Sequence, residues 1–398
     1  MVDRIFKSLM PYEEPWCKAM GYFNPYIDKF QTHLTNQMPF FDGACYERYP
    51  RHNFVYDKLW IVKSQGLHGG RLEKLSGKED KVAYPIFIKP RWGHLSASSK
   101  NCFKISSAEE LKKYIDYPNM MWSEFIDSKE GMTDYVLLKG QIMHQITYIY
   151  SDKQNGFSDD WKYISPDSKP PPIITEWVKQ HMTEFTGVVN VQYRSDKIIE
   201  VGLRLARAGA YLLSTENAAL INNINGIFTK KEWNHNVSSE EMAFKPFYVF
   251  KCFTTLPIVY IFPQKIVDWY VQRETKRPFY EYYFEPTGTT GMVFFQFMDD
   301  DFERGMQTKK KIERIFYMTQ IIMYFLIAFT IVFMVASEWR YKSAVAIVIL
   351  ILWLTRLLNP ITNNYNLYKA QKQSIFGGGP TKDTEDEIET FDTGAVPP

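Results

Sequence analysis

The chain has 398 residues, of which 45% are hydrophobic and 16% aromatic, so it is long enough for one large or two medium domains with buried cores. Its formal net charge of +2 gives no support for nucleic-acid binding. The four cysteines are scattered without a CxxC pair, which favours a reduced, intracellular compartment over a disulfide framework.

Residues 1–50 show neither a clear hydrophobic period nor a long apolar run, so we interpret them as an irregular N-terminal segment and not as a signal peptide. Beyond them, strand-like and helix-like runs alternate. Tyr84–Lys89 predicts a strand. Ala108–Ile115 predicts a helix, with Ser106 or Ser107 as its N-cap.

The following region predicts a sheet of antiparallel hairpins. Its elements are a hairpin of Asp134–Leu138 and Gln141–Tyr150 turned by Lys139-Gly140, a helix at Ile174–Phe185, and a hairpin of Val188–Tyr193 and Lys197–Val201. Antiparallel strands with helices on one side indicate an α+β fold.

Two apolar runs near the C-terminus predict a transmembrane hairpin over residues 312–360. Ile315–Ala336 contains no charged residue over 22 positions, enough to cross roughly 30 Å of hydrocarbon at about 1.5 Å per residue. A short loop leads to a second run, Ser343–Leu358, which Arg356 interrupts near its end. The alternative is a pair of buried core helices, which seldom stay uncharged for so long.

The basic residues around the first run favour a cytoplasmic location for both termini. Lys309, Lys310, Lys311 and Arg314 precede the run, whereas the loop between the runs holds only Arg340 and Lys342. The acidic tail, residues 361–398, predicts disorder. We therefore expect a multi-pass membrane protein that contacts the bilayer through residues 315–358.

Four polar side chains around the second hairpin suit a metal-bound polyphosphate. Gln192 and Glu200 lie on its two strands, and Arg204 and Arg207 follow. Amide and carboxylate oxygens are ligands for Mg²⁺, and guanidinium groups bind phosphate. This layout predicts an ATP-handling enzyme.

With three further segments in the same order, this hairpin resembles ATP-grasp proteins, most closely the large subunit of carbamoyl-phosphate synthetase, over residues 50–311. The resemblance implies two α+β subdomains that clasp ATP within residues 51–311. It implies that Lys58 and Lys89 contact the nucleotide phosphates, together with Ser96 and Ser98 of a covering loop. That loop has a single glycine, Gly93, where the family has several.

The remaining segments supply the expected nucleotide and metal contacts. By resemblance, Glu124 contacts adenine, and Glu130 is the candidate for the ribose hydroxyls. Gln192 and Glu200 match the ligands of Mg²⁺ or Mn²⁺, and Arg204 and Arg207 match the arginines that follow. Gly202 stands where the family has an asparagine ligand, which removes one oxygen from the metal site.

Two functions remain open on these patterns. The first is an ATP-dependent ligase that activates the carboxylate of a small molecule or peptide as an acyl phosphate, for attack by an amine or similar nucleophile. The alternative is a degenerate ATP-grasp fold that serves as a membrane-associated structural or interaction protein, such as a viral one. Gly202 and the glycine-poor loop favour the alternative.

Overall fold

Two antiparallel β-sheets organise the computed structural model, which describes residues 32–95, 102–154, 158–256, 273–274, 280–286, 292–336, 341–343 and 345. The smaller sheet consists of β1 (Gly69–Arg71), β2 (Ile86–Pro90), β3 (Phe103–Ile105) and β4 (Met120–Glu124), in the order β1–β4–β2–β3. Each of its described pairings is antiparallel.

The larger sheet has eight strands in the order β11–β10–β5–β6–β9–β12–β14–β13, again with antiparallel pairings. The strands after β4 are β5 (Glu130–Leu138), β6 (Gln141–Tyr150), β7 (Lys153–Gln154), β8 (Ser158–Asp159), β9 (Trp161–Ser165), β10 (Gly187–Arg194), β11 (Lys197–Gly202), β12 (Phe247–Thr254), β13 (Tyr280–Pro286) and β14 (Met292–Asp299). Strands β7 and β8 form a separate ribbon.

The described α-helices are α1 (Asp42–Arg48), α2 (Lys58–Ser64), α3 (Ala108–Leu111), α4 (Pro172–His181), α5 (Ala210–Leu213), α6 (Ala218–Thr229) and α7 (Phe302–Ala336). Local chemistry explains where several of them begin. The Asp57 carboxylate accepts from Leu59 N at 3.0 Å and caps α2. The Ser107 hydroxyl accepts from Glu110 N and caps α3, which confirms the predicted N-cap.

The turn between β5 and β6 confirms the first predicted hairpin. Lys139 and Gly140 have φ angles of 49° and 77°, the left-handed conformation that a tight two-residue hairpin turn requires at both positions. A Cβ at Gly140 would approach Glu184 N to 2.8 Å, so this position needs glycine for space as well. The second predicted hairpin is formed by β10 and β11.

Helices pack on both faces of the larger sheet, so the expectation of helices on one side was wrong. Tyr135 and Val189 pack on one face against Ile174 and Trp177 of α4. On the other face, Met132 and other strand residues pack against α5 and α6. The burial of β5 reflects this arrangement: its seven central residues are all buried. A strand covered on both sides loses the alternation that marks a sheet with one solvated face.

Helix α7 runs from Phe302 to Ala336, across the domain boundary predicted at residue 311. Its first half packs on β12 and β14, where Ile312 and Phe316 are buried and the Phe316 and Phe294 rings stack at 3.9 Å. Within the described part of the chain, no helix combines the length and apolar character needed to traverse a membrane. Most of the second apolar run, and the acidic tail, lie outside the described residues.

Candidate functional site

Two buried lysines from the N-terminal part of the chain meet the edge strand of the larger sheet. Lys58 opens α2, and its Nζ lies 3.4 Å from Oε1 of Glu200 on β11. Lys89 lies on β2, and its Nζ donates to Ile199 O at 2.8 Å. The structure therefore brings together Lys58, Lys89 and Glu200, which lie in three separate segments of the sequence.

A β-bulge creates the acceptor for Lys89. Gln192 pairs with Glu200 and Tyr193 pairs with Ile198, so Ile199 is the extra residue of the edge strand. An extra residue of this kind has no partner in the ladder, which leaves its carbonyl group available. The same register sets Gln192 directly opposite Glu200, so both side chains project from one face of the sheet.

The electrostatics of this cluster favour an anionic ligand. Lys58 and Lys89 are only 4% and 6% exposed, whereas the Glu200 side chain is 41% exposed. Burial, with a smaller contribution from the nearby Lys58 charge, lowers the pKa of Lys89 to about 8, and Glu200 opposes the shift. A polyphosphate in the cluster would restore the charged form of Lys89, because an opposite charge nearby favours ionisation.

The donor set of Gln192 and Glu200 fits a hard divalent cation such as Mg²⁺. Both offer oxygen atoms, and Mg²⁺ takes few protein ligands while water and phosphate oxygens complete its shell. The Gln192 amide nitrogen is directed to Met132 Sδ at 3.7 Å. Among the described residues, no group of three or more His, Cys, Asp or Glu side chains is placed to hold a metal. Gln192 and Glu200 are residues that would hold such a cation.

Arg204 is held by a carboxylate that the sequence did not indicate. Its Nε donates to Asp42 Oδ2 at 2.8 Å, and its Nη1 donates to Leu205 O at 3.2 Å. The Tyr56 hydroxyl donates to Asp42 Oδ1 at 3.1 Å and accepts from Leu203 N at 3.0 Å. Helix α1 and the turn Asn53–Tyr56 are thereby tied to the segment that follows β11.

Arg207 lies three residues further on, in the short helical turn Ala206–Gly209. Its φ and ψ are 47° and 41°, and those of Ala208 are 53° and 35°. Two successive non-glycine residues in the left-handed region store backbone strain, which structures retain where the surroundings enforce it. The strain marks this turn as a constrained segment three residues beyond Arg204.

The two glutamates predicted to contact the nucleoside have protein partners. Glu124, at the end of β4, accepts from His68 N through Oε1 at 3.1 Å. Glu130 opens β5 and forms an ion pair with Arg194 at 3.4 Å, directly across the sheet. The predicted phosphate contacts Ser96 and Ser98 lie outside the described residues.

Asp134 is a buried carboxylate at the centre of the larger sheet. It accepts hydrogen bonds from the Tyr148 hydroxyl and from Asn190 Nδ2, each at 2.6 Å, and from Ala206 N at 3.0 Å. Burial raises its pKa to about 6, although these donors act in the opposite direction. The available sequence signal for this residue was an acidic side chain next to the hydrophobic residues of β5. Through its bond with Ala206 N, Asp134 positions the segment that carries Arg204.

No protein-family model and no curated protein matches the chain. Among solved structures, it is similar to a carboxyaminoimidazole ribonucleotide synthase from Aspergillus clavatus complexed with ATP, with a TM-score of 0.49 and 10% identity, over 69% of this chain and 79% of that one. An L-amino acid ligase from Bacillus licheniformis aligns with a TM-score of 0.47 and 16% identity, over 66% and 71%. A phosphoribosylamine–glycine ligase from Thermotoga maritima aligns with a TM-score of 0.45 and 10% identity, over 66% and 76%.

Proposed function

We propose that the chain is an ATP-grasp protein that binds Mg-ATP between its two sheets. The observation that carries this proposal is that Lys58 pairs with Glu200 while Lys89 donates to the carbonyl of the adjacent Ile199. The two ammonium groups would hold phosphate oxygens, and Glu200 with Gln192 would hold the cation. Fixed charges stabilise a transferring phosphoryl group most strongly where water is excluded. The burial of both lysines supports their assignment to such a site.

The reaction that these groups support best is activation of a carboxylate. A carboxylate oxygen of the acceptor attacks the γ-phosphorus, the bond to the β–γ bridging oxygen breaks, and ADP leaves. An amine then attacks the acyl carbon of the acyl phosphate, and inorganic phosphate departs. Arg204 lies on the segment that follows Glu200 and would orient the acceptor. Lys58 and Lys89 would neutralise charge on the phosphates.

A direct test is calorimetric titration of the full-length protein with Mg²⁺ and a non-hydrolysable ATP analogue. The variants K58M, K89M and E200Q are each expected to weaken binding by about tenfold or more, since charge-assisted contacts contribute about 1.5–3 kcal/mol. K113M is the matched control, because Lys113 is exposed and lies just after α3. Equal affinity of wild type and K89M, or no binding by wild type, would contradict the proposal.

The rival function is a nucleotide-binding or structural protein without ligase activity. The contact of Arg204 with Asp42 favours it, because a guanidinium already paired with a carboxylate is less available to an acceptor. Hydroxylamine traps acyl phosphates as hydroxamates and separates the two functions. Nucleotide binding without hydroxamate formation across a panel of carboxylates would favour the rival.

We further propose that the chain is anchored to a bilayer through Ile315–Ala336 and Ser343–Leu358, with the catalytic part and both termini on the cytoplasmic side. Exposed apolar side chains recur on α7 at alternating intervals of four and three residues: Met318, Ile322, Phe325, Phe329 and Val332. This spacing keeps them on one helix face. Lys309 contributes little to the basic flank, because it is buried and paired with Glu313 and Asp160.

A further inference from the structure

Gly202, at the end of β11, leaves space that a carboxylate from another element occupies. An ideal Cβ at residue 202 would lie 2.9 Å from Asp42 Oδ1, closer than real Cβ atoms come to other groups. Among the residues that the structure describes, the Asp42 carboxyl is the only neighbour that such a Cβ would meet within 4 Å. The missing side chain at residue 202 is therefore what allows an oxygen atom of α1 to reach this edge of the sheet.

The oxygen of Asp42 joins the face that carries Glu200 and Gln192. Glu200 and Gly202 are two residues apart on β11, so their Cα–Cβ directions point to the same face of the sheet. Their Cα atoms are roughly 7 Å apart. Gln192 lies directly opposite Glu200. Three oxygen-bearing side chains, from α1, β10 and β11, thus converge on one edge of the sheet.

Asp42 is held in a defined orientation and keeps coordinating capacity. Tyr56 and Arg204 each donate one hydrogen bond, to Oδ1 and Oδ2 respectively. A carboxylate has about four lone-pair sites, so each oxygen can accept a further partner. Its side chain is 21% exposed, so part of the carboxylate remains accessible. Two carboxylates and one amide are hard oxygen donors of the kind that Mg²⁺ prefers.

We infer that Asp42, reaching over Gly202, is the third protein ligand of the divalent cation, beside Gln192 and Glu200. The inference rests on the proposed function, since the same cation would bridge to the nucleotide. Asp42 lies far from Gln192 and Glu200 in the sequence. The third ligand oxygen can come either from Asp42 of α1 or from a side chain at residue 202. Both side chains cannot occupy the space above residue 202 together.

The test is a Mn²⁺ titration followed by electron paramagnetic resonance, with full-length protein and a non-hydrolysable ATP analogue. D42A is expected to weaken Mn²⁺ binding by about tenfold or more. G202N alone is also expected to weaken it, because its Cβ collides with the Asp42 carboxylate. The double variant D42A/G202N is expected to recover most of the affinity, since the amide oxygen then has room to replace the lost carboxylate.

Binding of the ATP analogue measured in EDTA separates two roles of Asp42: ligation of the cation and support of Arg204. If Asp42 is a ligand, D42A lowers affinity only when Mn²⁺ is present. An equal loss with and without Mn²⁺, an unchanged Mn²⁺ affinity, or no recovery in D42A/G202N would overturn the inference while leaving nucleotide binding intact. Wild-type protein that binds no analogue under either condition would instead refute the proposed function itself.

Discussion

At the scale of single residues, the pKa of Lys89 offers a test of phosphate binding at the proposed site. Its folded-state pKa of about 8 lies below the unfolded value, so the folded chain loses stability as the pH falls from about 10.4 through 8. A polyphosphate bound beside Lys89 would raise this pKa again. At pH 8.5 only about a quarter of free Lys89 is protonated, so binding of the ATP analogue should take up about 0.7 proton.

Calorimetry in buffers of different ionisation enthalpy measures this uptake. At pH 6.5, where Lys89 is already charged, uptake through this group should fall to nearly zero. K89M should remove the uptake at pH 8.5, and K113M should retain it. Uptake that persists in K89M would assign the proton to another group.

The carboxyl group of Asp134 makes an opposite contribution to the pH dependence of stability. Its folded pKa of about 6 lies above the ordinary value of 3.8, so the stability it contributes is complete below about pH 4 and is lost as the pH rises through 6. The melting temperature of wild type minus that of D134N should therefore fall between pH 5 and pH 7. Thermal unfolding followed by circular dichroism measures this difference, and a constant difference would contradict the raised pKa.

At the scale of elements, the packing of α7 on the larger sheet depends on one glycine. A Cβ at Gly305 would overlap the Phe250 ring of β12. G305A should therefore destabilise the protein by about 1–3 kcal/mol through overpacking. The matched control is G43A in α1, where nothing lies within 4 Å and alanine should stabilise the helix by up to about 1 kcal/mol. Urea denaturation measures both changes; equal effects would show that helix propensity, and not the close approach, decides the outcome.

The elements also differ in how much of them local sequence determines. The β5–β6 turn followed from Lys139-Gly140, and the start of α3 followed from Ser107, because both depend on neighbours in sequence. The ends were less accurate. Predicted Ala108–Ile115 is a helix only to Leu111, and predicted Ile174–Phe185 is Pro172–His181. Helix ends depend on tertiary contacts that a periodic pattern does not contain.

At the scale of the whole molecule, the exposed apolar face of α7 predicts attachment to lipid. Phe325 and Phe329 are 73% and 69% exposed, so replacing them should leave the fold intact. Aspartate costs roughly 2.5–3.5 kcal/mol at the centre of a membrane helix. After detergent removal with phospholipid vesicles, full-length protein should float with the vesicles in a density gradient, and F325D/F329D should not.

The matched control for flotation is I149D/I173D, which alters exposed isoleucines on β6 and α4. It should float like wild type. Wild-type protein that stays at the bottom of the gradient, or equal loss in both double variants, would contradict membrane anchoring through this helix.

The sequence by itself determined the two antiparallel hairpins and placed Gln192 and Glu200 on the two strands of one of them, because these follow from turn residues and strand alternation. The β-bulge at Ile199, which sets Gln192 directly opposite Glu200, was visible only in the structure. Only the tertiary structure decided that Lys58 reaches Glu200, that Lys89 reaches the carbonyl of Ile199, and that Asp42 lies against Gly202. The Asp42–Arg204 contact spans 162 positions, and the Asp134–Ala206 contact spans 72. Such contacts depend on how helices cover both faces of the larger sheet, which no local pattern specifies.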